Sequence, residues 1–352
     1  MSEIAGPAAA ALASLCSDDV IFLQSLPKAE LHAHLNGSIP IKTILELAQQ
    51  YPHSSAQTTE VADTIEKLKS GVILNEIFDF FSLMPAIYAL TSTPEAVAIV
   101  TRAVLQSFLN PTGDGAESPQ CTYLELRTTP RSTTHMTREK YLTIVLDEIE
   151  MYPADQAALI VSVDRRMSDS DVEECISLAI EMKNRGRRVV GIDVCGDPRS
   201  GDMQTFTQHL SRAKGAGLGL TVHIAESTKN TTEDSLALLS CRPDRLGHAT
   251  FLSDELKAFK SADYKPCMEI CLSSNLLCKT VASLDAHHIR YYLKNDHPIV
   301  ICTDDALPFR TSCLGEYSLL LAQPPLGLGL SRDDVARVAR MGMDAAFLRP
   351  RD

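Results

Sequence analysis

Short runs of branched and apolar residues recur along the chain at intervals wide enough to hold a helix between each pair. Eight can be marked: Glu30–His34, Cys121–Arg127, Ala158–Asp164, Val189–Val194, Gly219–His223, Arg245–His248, Met268–Leu272 and Pro298–Asp304. Most are nearly continuous in apolar character, which is how strands read when a parallel sheet is covered on both faces. Between them, helical spacing predicts helices over Ile41–Gln50, Thr93–Leu109, Thr137–Glu150, Asp171–Asn184, Asp202–Ala213 and Ser235–Leu239, several opened by a capping Thr, Ser or Asp. Eight such repeats predict an α/β fold, a (β/α)8 TIM barrel, with a doubly wound open sheet as the competing arrangement.

The first connection is the longest. Residues 51–70 are polar, and 71–90 carry Phe78, Phe80, Phe81, Met84, Ile87 and Tyr88 on one or two amphipathic helices. This helical insertion after the first strand is placed either to cover the barrel mouth as a lid or to pack on the barrel wall. Gly215-Ala-Gly-Leu-Gly precedes a strand rather than following one, so it reads as a helix-ending turn and not as a dinucleotide-binding loop. No linker, repeat or low-complexity tract interrupts the chain after residue 20. The expected organisation is a poorly ordered N-terminal extension, 1–20, followed by a single domain, 21–352.

With 352 residues, 45% of them hydrophobic and 22% charged, the chain can bury one large core. The formal net charge of −12 argues against an extended nucleic-acid surface, where phosphate repulsion would go unopposed. A small anion would need a local Arg or Lys cluster. Ten cysteines without a CxxC pair suit a reducing compartment, and Glu3 with no early Lys or Arg argues against a signal segment over 5–15. A cytosolic monomer with no membrane partner is therefore expected. Asn230-Thr-Thr spells a glycosylation sequon but reads as a polar loop.

Nearly every predicted strand ends in a residue able to coordinate, bind or transfer a proton. These are His32 and His34, Arg127 through Arg131, Asp164, Gly196-Asp197, His223 with Glu226, His248, Ser273-Ser274-Asn275, and Asp304-Asp305. In a barrel these ends share one rim, where sites of this architecture are built. His32 and His34, two apart on a strand, send both imidazoles to one side. With His223 and Asp304 they offer three nitrogens and a carboxylate, a set suited to Zn2+. Dinuclear sites of this type use a Lys at the end of the fourth strand, but here that end reads Asp193-Val-Cys-Gly-Asp-Pro, so one metal per chain is expected. His248 is placed to accept a proton from the attacking water, and Glu226 to protonate a ring nitrogen of the electrophile. Asp305 is placed to orient that water or to hydrogen-bond the substrate.

The segments Leu26-Pro-Lys-Ala-Glu-Leu-His-Ala-His-Leu-Asn-Gly-Ser, Thr221-Val-His-Ile-Ala-Glu, Arg245-Leu-Gly-His-Ala-Thr, Leu272-Ser-Ser-Asn and Ile301-Cys-Thr-Asp-Asp resemble the motif set of the adenosine/AMP deaminase family. The resemblance implies a barrel of the metal-dependent hydrolase type with one zinc on His32, His34, His223 and Asp304. It implies Glu226 as proton donor to purine N1, His248 beside the attacking water, Asp305 facing N7 and Gly196 offering its N–H to N3. The chain is most similar to the branch that converts N6-methyl-AMP to IMP and methylamine, through Asn36, the run Thr128-Thr129-Pro130-Arg131 and Asp164, which with His34 and Tyr88 are the expected substrate contacts. Arg131 would clamp the phosphate, with Arg165 and Arg166 close by. Tyr88 stands where that branch carries a substrate-contacting His. The alternatives are an adenosine or 2'-deoxyadenosine deaminase and a non-catalytic purine-binding relative.

Overall fold

The computed structural model describes residues 4–50, 57–111, 118–257 and 264–348. Part of the polar stretch expected after the first strand, 51–56, and the two ends of the expected organisation, 1–3 and 349–352, lie outside the described residues. Eight strands form one sheet in sequence order: β1 (Ala29–His34), β2 (Tyr123–Thr128), β3 (Ala157–Asp164), β4 (Val189–Cys195), β5 (Gly219–Ile224), β6 (Arg245–His248), β7 (Cys267–Ile270) and β8 (Ile299–Ile301). Each is parallel to the next. The strand order never reverses, so the arrangement is a (β/α)8 barrel and not the doubly wound sheet.

The ends of the sheet meet at a seam made largely by a side chain. The buried Glu30 carboxylate accepts from His32 N–H at 2.8 Å and from Thr303 N–H at 2.9 Å, while His34 N–H donates to the Asp304 carbonyl at 3.2 Å. β8 is shorter than the predicted Pro298–Asp304 run, because the chain turns at Asp304, whose φ is +61°. Asp304 and Asp305 therefore sit on a turn above the strand.

Helix starts follow the expected ones at Thr93, Thr137 and Asp202, while the helices expected from Asp171 and Ser235 begin earlier, at Asp169 and Thr232. Thr93, Thr137, Ser168, Asp202 and Thr231 each accept a backbone N–H at the head of the helices Pro94–Leu109, Arg138–Ile149, Asp169–Asn184, Met203–Gly215 and Thr232–Ser240. The glycine-rich turn after Met203–Gly215 is where the helix ends, with Gly217 at φ +79°.

The N-terminal segment differs from the expected loose extension. Gly6–Ala13 and Ser17–Ser25 are helices, and Ala8, Ala11 and Leu23 are fully buried. Small residues let the first of these helices lie close on Cys313–Leu321, where a Cβ at Gly315 would stand 3.1 Å from the Ala8 methyl. The stretch that imitates a signal core is thus spent on packing. Among the described residues no single helix is long and apolar enough to cross a membrane.

Beneath the rim, the barrel interior holds ions where apolar layers are usual. Arg127, Asp193, Arg245, Glu125 and Glu269 are all fully buried. Glu269 Oε2 accepts from Arg127 at 2.9 Å, its Oε1 accepts from Arg245 Nε at 2.7 Å, and Arg245 pairs with Glu125 at 2.7 Å. Burial opposes the charge on Glu269, but the two guanidiniums outweigh it and hold the carboxyl below its ordinary range.

Candidate active site

The C-terminal ends of β1, β5 and β8 bring the four expected ligands to one point. His223 Nε2 lies 3.0 Å from His32 Nε2 and 3.2 Å from His34 Nε2, and Asp304 Oδ1 lies 3.6 and 3.5 Å from the same two His nitrogens. The far nitrogens are already engaged. His32 Nδ1 is 2.5 Å from Glu269 Oε2, and His223 Nδ1 is 3.0 Å from both Asp193 Oδ1 and the Val194 carbonyl. With Nδ1–H donating to those acceptors, Nε2 of each ring turns a lone pair toward the common point.

Burial and the neighbouring His223 push His34 down to about 3, and burial with Arg127 nearby drives His32 well below its ordinary value. His223 differs, because against the effect of burial the Asp193 carboxylate raises it, and ring nitrogens converging at 3.0–3.2 Å repel unless a cation lies between them. Ligand bonds of about 2.0–2.1 Å in a tetrahedron give edges of about 3.3 Å, close to the spacings observed. The donor set therefore fits a divalent metal ion, and these four residues form the candidate metal site.

Around it stand the proton-handling groups. His248 is buried, and neither of its ring nitrogens makes a hydrogen bond among the described residues. Its Nε2 lies 3.4 Å from Glu226 Oε1 and 3.9 Å from Asp304 Oδ2, so it points at the metal position with free capacity to bind water. Asp304 is buried, yet the imidazoles of His248, His34 and His223 hold it below its ordinary range. Burial and the Asp304 charge drive the adjoining Asp305 well above that range. Asp305 fits only because residue 37 is glycine, since a Cβ there would fall 1.4 Å from Asp305 Oδ1. Gly247 makes the same allowance for His32, whose Cε1 would meet a Cβ at 2.8 Å. Ala225, His248, Ala249 and Asp304 all adopt left-handed backbone angles, φ +47° to +61°, that non-glycine residues rarely hold.

His34, His223, Glu226, Asp304 and Asp305 line a cavity that continues to solvent, with His32 and His248 behind them. The insertion forms its roof. Helices Ile77–Phe81 and Met84–Leu90 contribute Ile77, Phe80, Phe81, Met84 and Tyr88 to the lining, and Phe80 stacks on Phe309 across it at 5.6 Å. Burial keeps the Tyr88 phenol neutral by raising it well above its ordinary value. Asn36, Thr128, Thr129, Asp164 and Gly196 line the remaining walls. Gly196 has φ +99°, and a Cβ there would stand 2.6 Å from Asp164 Oδ1, so only glycine lets the backbone approach.

Two expected contacts are not placed there. Arg131 does not line the cavity. Its guanidinium donates to the Tyr88 carbonyl at 3.1 Å and to the Thr91 carbonyl at 2.8 Å and lies over the Tyr88 ring, tying the roof to the barrel. Pro130 is likewise absent from the lining. Arg165 is buried with its NH2 on the His223 carbonyl at 3.1 Å. The solvent-reachable guanidinium on the lining is that of Arg166, which holds Asp164 through both carboxylate oxygens at 2.9 and 2.6 Å.

The residues missed by sequence reasoning are Glu269 and Asp193, which orient His32 and His223, and Arg127, read as part of the rim but buried between those two carboxylates. A signal was available: Leu124-Glu-Leu-Arg, Ile192-Asp-Val and Met268-Glu-Ile each set a charge between apolar residues of a strand, where period two sends it into the barrel.

The family model for adenosine deaminase matches residues 27–352. An Arabidopsis thaliana protein named N6-mAMP deaminase is 34% identical over 358 residues, covering 93% of this chain and 94% of its own length. The Homo sapiens N6-Methyl-AMP deaminase is 37% identical over 317 residues, covering 86% of this chain and 84% of its own. Among solved structures, the Arabidopsis N6-mAMP deaminase superposes with a TM-score of 0.81 at 34% identity, over 94% of this chain and 96% of that one. Arabidopsis ADAL complexed with IMP also gives 0.81 at 34% identity, over 94% of each chain. A family match that starts just ahead of β1, joined to relatives above 30% identity over most of both lengths, establishes that this chain belongs to the adenosine deaminase family of metal-dependent aminohydrolases.

Proposed function

We propose that this chain is a zinc-dependent hydrolase that removes the N6-substituted amino group from C6 of a purine mononucleotide, with N6-methyl-AMP and water giving IMP and methylamine. The observation that carries the reading is the meeting of the three imidazoles and Asp304 beside a cavity lined by Glu226 and Asp305, with His248 directly behind, 3.4 Å from Glu226 and 3.9 Å from Asp304. The relatives named for N6-methyl-AMP and the solved relative holding IMP support the substrate class.

When bound, zinc supplies the Lewis acidity that lets a water lose its proton near neutral pH. The protein's own groups do the rest. His248 receives or holds that proton while the water oxygen adds to C6. Glu226 protonates N1, so the ring accepts the electron pair as C6 becomes tetrahedral. The C6–N6 bond then breaks as the amine leaves with the proton held by His248, and the added hydroxyl gives its remaining proton back to Glu226 as the 6-oxopurine forms. Asp305 faces N7, and the Gly196 N–H faces N3. Zinc content of the purified protein and a panel of N6-methyl-AMP, AMP, N6-methyladenosine and adenosine test the reading. Near one zinc per chain and fastest turnover of N6-methyl-AMP are expected, and equal or better turnover of the nucleosides would defeat the nucleotide assignment.

The lining itself favours a second reading, a nucleoside deaminase, because Asp164 already neutralises the guanidinium best placed for a phosphate. On the nucleotide reading, Thr128, Thr129 and Arg166 take the phosphate. Arg166→Ala is then expected to lower kcat/KM about 10- to 100-fold on the nucleotide, the worth of a charged hydrogen bond, and to leave the nucleoside within a factor of two. Steady-state kinetics on both substrates checks this, and parallel losses would remove Arg166 from phosphate binding.

A further inference from the structure

The Ser273-Ser274-Asn275 motif is only partly spent on the cavity. Ser274 lines it, whereas Asn275 is buried outside it. The Asn275 amide donates to Thr250 Oγ1 at 3.4 Å and to Thr280 Oγ1 at 3.1 Å, and its Oδ1 meets His287 Nε2 at 3.1 Å. His287 Nδ1 accepts from the Ile289 N–H at 3.0 Å, so its hydrogen sits on Nε2 and the Asn275 amide has one self-consistent orientation. The ring so fixed lies flat on His288, with centroids 4.3 Å apart and planes 19° apart.

His288 Nε2 in turn meets the carbonyl of His248 at 2.8 Å. A carbonyl only accepts, so the hydrogen of His288 is on Nε2. The 248–250 turn is therefore held from both ends, at the His248 carbonyl and at the Thr250 hydroxyl. That turn needs holding, because His248 and Ala249 are consecutive left-handed residues at φ +59° and +51°. No hydrogen bond among the described residues fixes the His248 ring, so its aim follows from its backbone.

We propose that His288, through its bond to the His248 carbonyl, is a positioning residue for the proton-handling imidazole of His248, and that Asn275 and His287 hold the His288 ring in place. This rests on the role given to His248 under Proposed function.

The test compares His288→Gln, His288→Asn and His288→Ala in the full chain, with turnover, metal content and thermal unfolding measured for each. A Gln amide nitrogen reaches the position of imidazole Nε2, whereas an Asn amide stops near Nδ1. His288→Gln is expected to stay within about threefold of wild-type kcat. His288→Asn and His288→Ala are expected to lose about 10- to 100-fold in kcat, as displacement of a reacting group by about 1 Å does, with KM and bound metal unchanged. Asn275→Ala, which leaves His288 intact, is expected to lose less, again in kcat alone. Unchanged kcat in His288→Asn, or equal losses in all three variants that follow the unfolding temperature, would overturn the proposal. If the His288 variants do not fold, an unaltered kcat in folded Asn275→Ala overturns it and a reduced kcat at constant KM supports it. His248→Ala run alongside separates the two claims, because full turnover there refutes the role of His248 itself.

Discussion

Replacing Glu226 with Gln should lower kcat by roughly 1,000-fold while metal content and unfolding temperature stay at wild-type values. The substitution keeps the size of the side chain and its contact with His248, from which Oε1 is 3.4 Å away, but it removes the acid that delivers a proton to the purine ring. Without that proton, the ring nitrogen must carry full negative charge as water adds to C6. The residue is not one of the four that converge on the metal position, so metal is expected to stay bound and the loss to fall on the rate. Single-turnover kinetics on N6-methyl-AMP and on adenosine, with metal analysis of the same sample, provides the check. Activity above a tenth of wild type would mean that the proton reaches the purine from another group.

Glu269→Ala is expected to damage stability and metal affinity together. Its carboxylate serves His32 Nδ1, Arg127, Arg245 and Thr221 Oγ1 at once, at 2.5 to 2.9 Å, in a region with no exposure. Removing it leaves two buried guanidiniums short of a counter-charge, at a cost of about 3–5 kcal/mol. It also frees the His32 ring to rotate, and lost orientation of a metal-binding imidazole typically weakens affinity about 10- to 100-fold. Denaturant unfolding and competition with a chelator measure the two effects separately. Retention of both at wild-type level would mean that water or Asp193 takes over the charge. Glu269→Gln, which keeps volume and one acceptor, should fall between the two.

The sequence made the wall of the barrel and the metal set readable for one reason, which is that both depend on local order. Strand parity puts His32 beside His34, and the ends of apolar runs put His223 and His248 on the rim. Helix starts at Thr93 and Thr137 follow from a single side-chain bond each, whereas the helix expected from Asp171 begins earlier, behind the Ser168 cap. What was not readable depends on which way a loop turns. Arg131 and Arg166 both follow a strand end, and only the path of the chain sends the first into the roof and the second to the cavity. The N-terminal helices were obscured in the same way, because an alanine-rich stretch gives no sign of its docking partner until the partner's surface, at Gly315, is known.

The left-handed backbones at Ala225, His248, Ala249 and Asp304 bear on how this enzyme can change. Each such residue costs about 1–3 kcal/mol, a debt carried by the close-packed remainder of the molecule. A substitution far out in the barrel wall that loosens packing would let these four angles drift toward commoner values well before the chain melts. Turnover is then the more sensitive gauge of a weakened fold, and selection for activity would guard residues that never approach a purine.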